Sequence, residues 1–422
     1  MANAPTRFIK AGRNEGEAVE LLNNLFDAAA RMGASDIHIE DEDADTAVRL
    51  RIGGDLQEYT RIDKQTALIC DSKIRSVCQM SLSDRMAAMD GRMFIEVDSR
   101  MVDVRVSVLP SRTGQSIVCR LLDQRNAARR LGEITMTPSV RTALGGVLAE
   151  PDGLVLMTGP TGSGKTSTLY AMLNELNKPE AKIVTVEDPV EYRLTRAVQV
   201  NVNERLTFAN ALRAILRQDP DIILVGEIRD QETAKIAVEA SMTGHLVLST
   251  LHANDAPTTL TRLVDLGVDP FTLGAVLRCV IAQRLSKRLC QHCCTAYELT
   301  RGEMDWLRFY DPDHSGTGFW HSPGCDHCSH TGIEGRIPVM EMAVGDAAVR
   351  LAITKNSRSE IARAAQRQGQ YETLVQAGMR LALDGQISLA EVRKLASGMD
   401  GNGESATTSS VKNPTSVSGV HA

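Results

Sequence analysis

GPTGSGKT, residues 159–166, decides how the rest of the chain is read. It fits G-x-x-x-x-G-K-[ST], a loop whose glycines let backbone N–H groups approach phosphate oxygens. The required flanks are present. LVLMT (154–158) before it is an apolar run of strand length. After it, Leu169, Met172, Leu173 and Leu176 recur at i, i+3, i+4 and i+7, and Pro179 follows. In that setting Gly159, Pro160, Thr161, Gly162, Ser163, Gly164, Lys165, Thr166 and Ser167 are the candidate nucleotide-binding residues. Lys165 is placed to reach the β- and γ-phosphates of ATP, and Thr166 to hold Mg2+.

Further apolar runs alternate with helical patterns: KIVTVE (182–187), DIILVGE (221–227) and HLVLST (245–250). These read as buried parallel strands of an α/β core. Carboxylates cluster at their ends. Glu227 follows Gly226, suiting it to orient or deprotonate the attacking water, the alternative being a surface glutamate. Glu187, Asp188 and Glu191 in EDPVE can bind Mg2+ through water, or Asp188-Pro189 is a turn. His245 and His252 flank the last run; histidine at such a rim can sense a γ-phosphate, although a lone histidine is more often structural.

On the N-terminal side, residues 17–33 have a helical stripe through Val19, Leu22, Leu25 and Phe26. SDIHIE, TAVRLRIGGDLQEY and MVDVRVSVLP read as strands, with a turn at Gly53-Gly54. In the last, Val102, Val104, Val106 and Val108 face one way and Asp103, Arg105 and Ser107 the other, giving a half-exposed sheet.

The composition narrows the classes. With 422 residues the chain holds roughly two to four domains. A formal charge of −6 and 4% aromatics offer little for a broad nucleic-acid path. No run approaches the ~18 apolar residues that span a bilayer, and the start lacks an export pattern. No direct membrane insertion and no nucleic-acid partner are therefore expected. In a reducing cytoplasm, CQHCC (290–294) and CDHC (325–328) favour metal over disulfides. Cys290, Cys293, Cys325 and Cys328 make a Zn2+ set with Cys-x-x-Cys spacing, leaving Cys294 spare and His292 and His327 facing solvent. Free structural cysteines, a redox pair, or a pairing through Cys294 are the alternatives.

Together, GPTGSGKT, VTVEDPVEY, LRAILRQDPDIILVGEIRD and TGHLVLSTLHAND resemble the Walker A, Asp box, Walker B and His box of the type II secretion and type IV pilus assembly ATPases. The resemblance runs from about residue 17 to 398. It implies a RecA-like P-loop core at 131–285 after a PAS-like α/β domain at 17–130. A tetracysteine zinc subdomain at 286–335 and a C-terminal helical segment at 336–398 follow, between a flexible 1–16 and a disordered 399–422. It implies that Arg105 and Arg120 reach the phosphates, and that Arg213, Arg217, Arg229 and Arg336 lie at the site or at subunit interfaces. The implied protein is a cytoplasmic homo-hexamer, peripheral at the inner membrane, hydrolysing ATP to drive pilus assembly or pseudopilus extension through a platform protein. The family commonly carries a further N-terminal domain, and a short form without it is expected here. The cysteine array favours assembly or secretion over retraction. A retraction or conjugative secretion ATPase is the runner-up, and a RecA-like nucleic-acid motor the alternative of another class. A non-catalytic scaffold would have lost Lys165 or Glu227.

Overall fold

The computed structural model describes residues 16–98, 100–123, 130–310 and 318–397. The expected flexible start, up to residue 15, and the expected disordered tail lie outside the described residues.

Six strands form an antiparallel sheet: β1 (Asp36–Asp41), β2 (Thr46–Ile52), β3 (Asp55–Ile62), β4 (Met89–Val97), β5 (Arg100–Ser111) and β6 (Gly114–Asp123), in the order β3-β2-β1-β6-β5-β4. Helices Gly16–Arg31 and Lys64–Val77 bury their apolar stripes, including Leu22, Phe26 and Ile74, in one core with Val102, Val104, Val106 and Val108. The opposite face of β5 is less open than its alternation suggests. Asp103 is buried because the Arg92 guanidinium covers it with hydrogen bonds of 2.7 and 2.5 Å. Arg105 turns toward the second sheet.

That second sheet contains β7 (Gly153–Thr158), β8 (Ile183–Glu187), β9 (Val198–Asn201), β10 (Ile222–Val225), β11 (Leu246–Leu251), β12 (Leu277–Leu289) and, after the short pair β13 (Thr295–Tyr297) and β14 (Phe319–His321), β15 (Ile333–Val344). Its order is β15-β12-β7-β11-β10-β8-β9. β8, β10, β11, β7 and β12 run parallel, and β15 antiparallel on the edge. Alternate residues enter two cores: Leu154, Leu156, Ile223 and Val225 face one, Val155, Met157, Ile222 and Leu224 the other. Burial on both faces explains why these strands read as continuous apolar runs.

β12 and β15 extend this sheet beyond the apolar runs visible in the sequence. Helices Ala347–Thr354, Arg358–Ala365, Leu374–Leu383 and Leu389–Ser397 complete the C-terminal part. Glu341 on β15 ties them to the sheet. Its buried carboxylate accepts the N–H groups of Ala256 at 2.9 Å and Leu374 at 3.3 Å, capping two helix starts at once. Burial pushes its pKa from 4.5 up to about 7. The folded state therefore holds this proton more tightly than the unfolded chain. The resulting stability is present below pH ~4.5 and is lost as pH rises through ~7. Glu341→Gln should remove that dependence: its melting temperature relative to the parent should rise by about 3 °C between pH 5 and pH 8. A pH-independent difference in thermal melts would contradict this.

Candidate functional site: a cleft at the ends of the parallel strands

β7 delivers the chain to the glycine-rich loop. Gly159 has φ 145°, and a Cβ there would meet the Gln283 carbonyl at 2.4 Å. Gly164, at φ 84°, caps the helix Lys165–Leu176. Only glycine adopts such angles freely, so the loop's path depends on both residues. The Lys165 ammonium donates to the carbonyls of Gly159 at 2.7 Å and Pro160 at 3.0 Å. Burial lowers its pKa, and the nearby Glu227 carboxylate opposes that shift.

The loop forms one wall of a cleft of about 1010 Å3. Thr161, Gly162, Ser163, Gly164, Lys165, Thr166 and Ser167 line it from one side. Glu187, Asp188, Glu191, Glu227 and His252 line it from the ends of neighbouring strands. Arg120 enters from the antiparallel sheet, and Arg336 from β15. The cleft is large enough to bury a drug-sized ligand.

Glu227 is its best-positioned carboxylate. One oxygen lies 3.2 Å from His252 Nε2, and the other 2.7 Å from an Arg229 nitrogen. Arg229 also stands 3.7 Å from Asp188. Glu187 lies deeper: the Tyr170 hydroxyl donates to it at 2.7 Å and the Thr185 hydroxyl at 2.6 Å. Burial raises its pKa, and those hydrogen bonds oppose the rise. Glu191 pairs with Arg105 at 3.3 Å, which joins the two sheets. Arg120 pairs with Asp36 at 2.9 Å.

Four of the expected histidine and arginine side chains do not line the cleft: Arg105 lines a neighbouring cavity that it shares with Arg120 and Glu191, and His245, Arg213 and Arg217 lie elsewhere. β11 pairs with β7 so that Leu246 is level with Gly153 and Leu251 with Thr158. His245 thus sits at the end of the sheet opposite the loop, on the order of 20 Å away at 3.3 Å per residue. Its Nδ1 is 3.0 Å from the Ala240 carbonyl, the satisfied structural histidine that the sequence left as the alternative. Arg213 pairs with Glu232 at 2.5 Å, and Arg217 donates to the Arg213 carbonyl at 2.9 Å, both outside the cleft. Two residues that the sequence reading passed over belong beside the site. Tyr170, one of the helix's buried residues, holds Glu187, and Gln283 contacts the loop. A lone glutamine within the apolar run VIAQRL was its only signal.

The cysteines converge. The Sγ atoms of Cys290, Cys293, Cys325 and Cys328 all lie within 4.8 Å of one another. The separations of 4.0 Å for Cys290–Cys325 and 3.8 Å for Cys325–Cys328 are far beyond the ~2.05 Å of a disulfide. They match the edges of a tetrahedron with ~2.3 Å zinc–sulfur bonds. The backbone N–H groups of Cys325 and Gly332 donate to Cys328 Sγ, both at 3.2 Å, as suits a thiolate ligand. The set therefore fits zinc. Cys294 faces the Gly385 carbonyl instead. The rings of His292 and His327 stack on each other at 3.8 Å. Metal analysis of the purified chain should give about one zinc per chain for the parent and for Cys294→Ser, and far less for Cys328→Ser. Equal zinc in both variants would contradict the assignment.

Residues 12–394 match the family model described as "Type II/IV secretion system protein". The type II secretion system protein E of Klebsiella pneumoniae is 43% identical over 384 residues, covering 90% of this chain and 76% of that one. HxcR, a type II secretion system protein of Pseudomonas aeruginosa, is 42% identical over 379 residues, covering 89% and 77%. Among solved structures, the pilus retraction motor PilT with bound ADP has a TM-score of 0.62 at 27% identity, covering 89% of this chain and 96% of that one. The Legionella pneumophila ATPase DotB shares the fold, with a TM-score of 0.67 at 21% identity over 94% and 98%.

Proposed function

The chain belongs to the type II/IV secretion system protein family of secretion ATPases, and we propose that it hydrolyses ATP in the cleft between its two sheets to extend a pseudopilus or pilus. The observation that carries this reading is Glu227: a largely buried carboxylate facing the glycine-rich loop, flanked by His252 and Arg229.

The loop's backbone amides and Lys165 bind the phosphates, drawing the ammonium away from the carbonyls it now contacts. Thr166 would hold Mg2+, with Glu187 and Asp188, which line the same cleft, as candidates to bind it through water; the ion would supply charge neutralisation at the phosphates. Glu227 orients the attacking water and accepts its proton. His252 supports that carboxylate and reports the γ-phosphate's presence through the Glu227 contact. Arg229 balances its charge. Arg105 and Arg120 approach from the antiparallel sheet, so ATP draws the two sheets together and product release lets them part.

Six such chains in a ring, acting on an inner-membrane platform protein from the cytoplasmic side, would turn that closure into movement. Arg213 and Arg217, which lie outside the cleft, are then available to neighbouring subunits. No helix among the described residues is long and apolar enough to cross a membrane, which suits recruitment through a partner. The 43% identity to a type II secretion protein, beside 27% to a retraction motor, favours the extending role. The tetracysteine set, expected in the extending branch, agrees with it.

Steady-state ATPase assays provide the test. Glu227→Gln should lower kcat by about a hundred-fold or more with ATP still bound, and Lys165→Ala should abolish binding. Turnover stimulated by single-stranded DNA would overturn the reading in favour of a nucleic-acid motor. The two histidines should separate: His252→Ala should reduce kcat about ten-fold or more, and His245→Ala should stay within about two-fold. Equal losses in both would refute the placement of His252.

A further inference from the structure

β12 passes under the glycine-rich loop and sends one uncharged polar side chain into it. Gln283 is 1% exposed, and both ends of its amide are used. Its Nε2 donates to the Ser163 carbonyl at 2.8 Å, and its Oε1 accepts from the Thr168 hydroxyl at 2.9 Å. One side chain thereby ties the loop to the first turn of the helix that follows it. The backbone packs just as closely. A Cβ on Gly164 would meet Gln283 Nε2 at 2.8 Å, and one on Gly159 would meet the Gln283 carbonyl.

The Ser163 carbonyl shares a planar peptide with the N–H of Gly164, and in a trans peptide the two point in opposite directions. Drawing the carbonyl down onto Gln283 therefore turns the Gly164 N–H away from β12. Gly164 lines the cleft, so this amide is one of those that can face a phosphate. The donor on the carbonyl also polarises the peptide and strengthens the N–H as a donor. The Ser163 hydroxyl, buried and without a hydrogen-bond partner among the described residues, does not do this work.

We propose that Gln283 is a positioning residue for nucleotide binding: with both ends of its own amide held by Ser163 and Thr168, it fixes the Ser163–Gly164 peptide so that the Gly164 amide meets the phosphate. The proposal rests on the nucleotide reading of the cleft given above. It extends the site to a strand more than a hundred residues further along the chain.

Equilibrium binding of a fluorescent ADP to the full chain tests it. Gln283→Leu loses both hydrogen bonds and should bind about ten-fold more weakly at pH 8. Gln283→Glu should be similarly weak at pH 8, where a carboxylate opposes the Ser163 carbonyl. It should recover toward the parent by pH 6, because a buried carboxyl protonates readily and then donates. Gln283→Leu should show no such recovery. Parental binding by Gln283→Leu, or a pH-independent defect in Gln283→Glu, would overturn the proposal.

Should neither variant fold, Thr168 supplies the same test from the other end. Thr168→Val should weaken binding about three-fold and Thr168→Ser should restore it; parental binding by Thr168→Val would overturn the proposal. Lys165→Ala separates the two claims. If it binds like the parent, the nucleotide reading fails. If it loses binding while the Gln283 variants keep theirs, only the role of Gln283 fails.

Discussion

Parallel pairing is the constraint on which this structure depends. Val186, Val225, Ser249 and Leu156 stand level on four neighbouring strands that run the same way. Whatever follows each strand must therefore emerge at one edge. The glycine-rich loop, Glu187, Glu227 and His252 arrive from four separate stretches of chain, and the sheet alone brings them together. The same constraint removes His245, because a strand separates the two histidines and only one of its ends faces the loop. Burial of both sheet faces fixes the register, since a slip would carry one core's side chains into the other.

The antiparallel sheet meets the cleft and the cavity beside it through ion pairs of unequal strength. Arg105 and Arg120 rest on Glu191 and Asp36: the first pair is partly exposed at both ends, whereas in the second an exposed guanidinium covers a buried carboxylate. A partly exposed pair such as Arg105–Glu191 contributes about 0–1 kcal/mol. Phosphate oxygens offer a guanidinium a stronger, charge-assisted partner. Under the proposed function a nucleotide takes Arg105 from Glu191 at little cost. Arg120 instead leaves behind a buried Asp36, which keeps the Ser35 hydroxyl at 2.8 Å and Arg51 at 3.8 Å. The antiparallel sheet follows both arginines. An ion pair between Lys287 and Asp55 adds a second link between the sheets at the Gly53-Gly54 turn. The tetracysteine set begins at Cys290, directly beyond the end of β12, the strand whose Gln283 braces the loop.

Much of the core was legible because its signals are local. A glycine-rich loop with a strand before it and an amphipathic helix after it needs no tertiary information. The same holds for paired Cys-x-x-Cys knuckles, and the structure brings together the four sulfurs that the spacing selects. β12 was harder. In LRCVIAQRL the apolar residues Leu277, Val280 and Ile281 also fit a helical spacing, and only pairing with β7 decides for a strand. Its partner β15 falls where the sequence reading passed from cysteines to helices. Gln283, Tyr170 and Glu341 carry no motif; their importance comes from what the fold buries beside them. Asp103 alternated with valines as a solvent-facing residue would, yet is buried with the Arg92 guanidinium bonded to it. The arginines lacked any local signal for their destinations, which depend on how the two sheets meet.

The central claim is that ATP closes this cleft by drawing charged side chains off their present partners. A structure determined with a non-hydrolysable ATP analogue and Mg2+ tests it most directly. The account predicts phosphates within the 159–166 loop, the Lys165 ammonium moved from the Gly159 and Pro160 carbonyls onto them, and Arg105 released from Glu191 toward the γ-phosphate. Phosphates bound elsewhere, or Arg105 still paired with Glu191 beside a fully bound analogue, would contradict it.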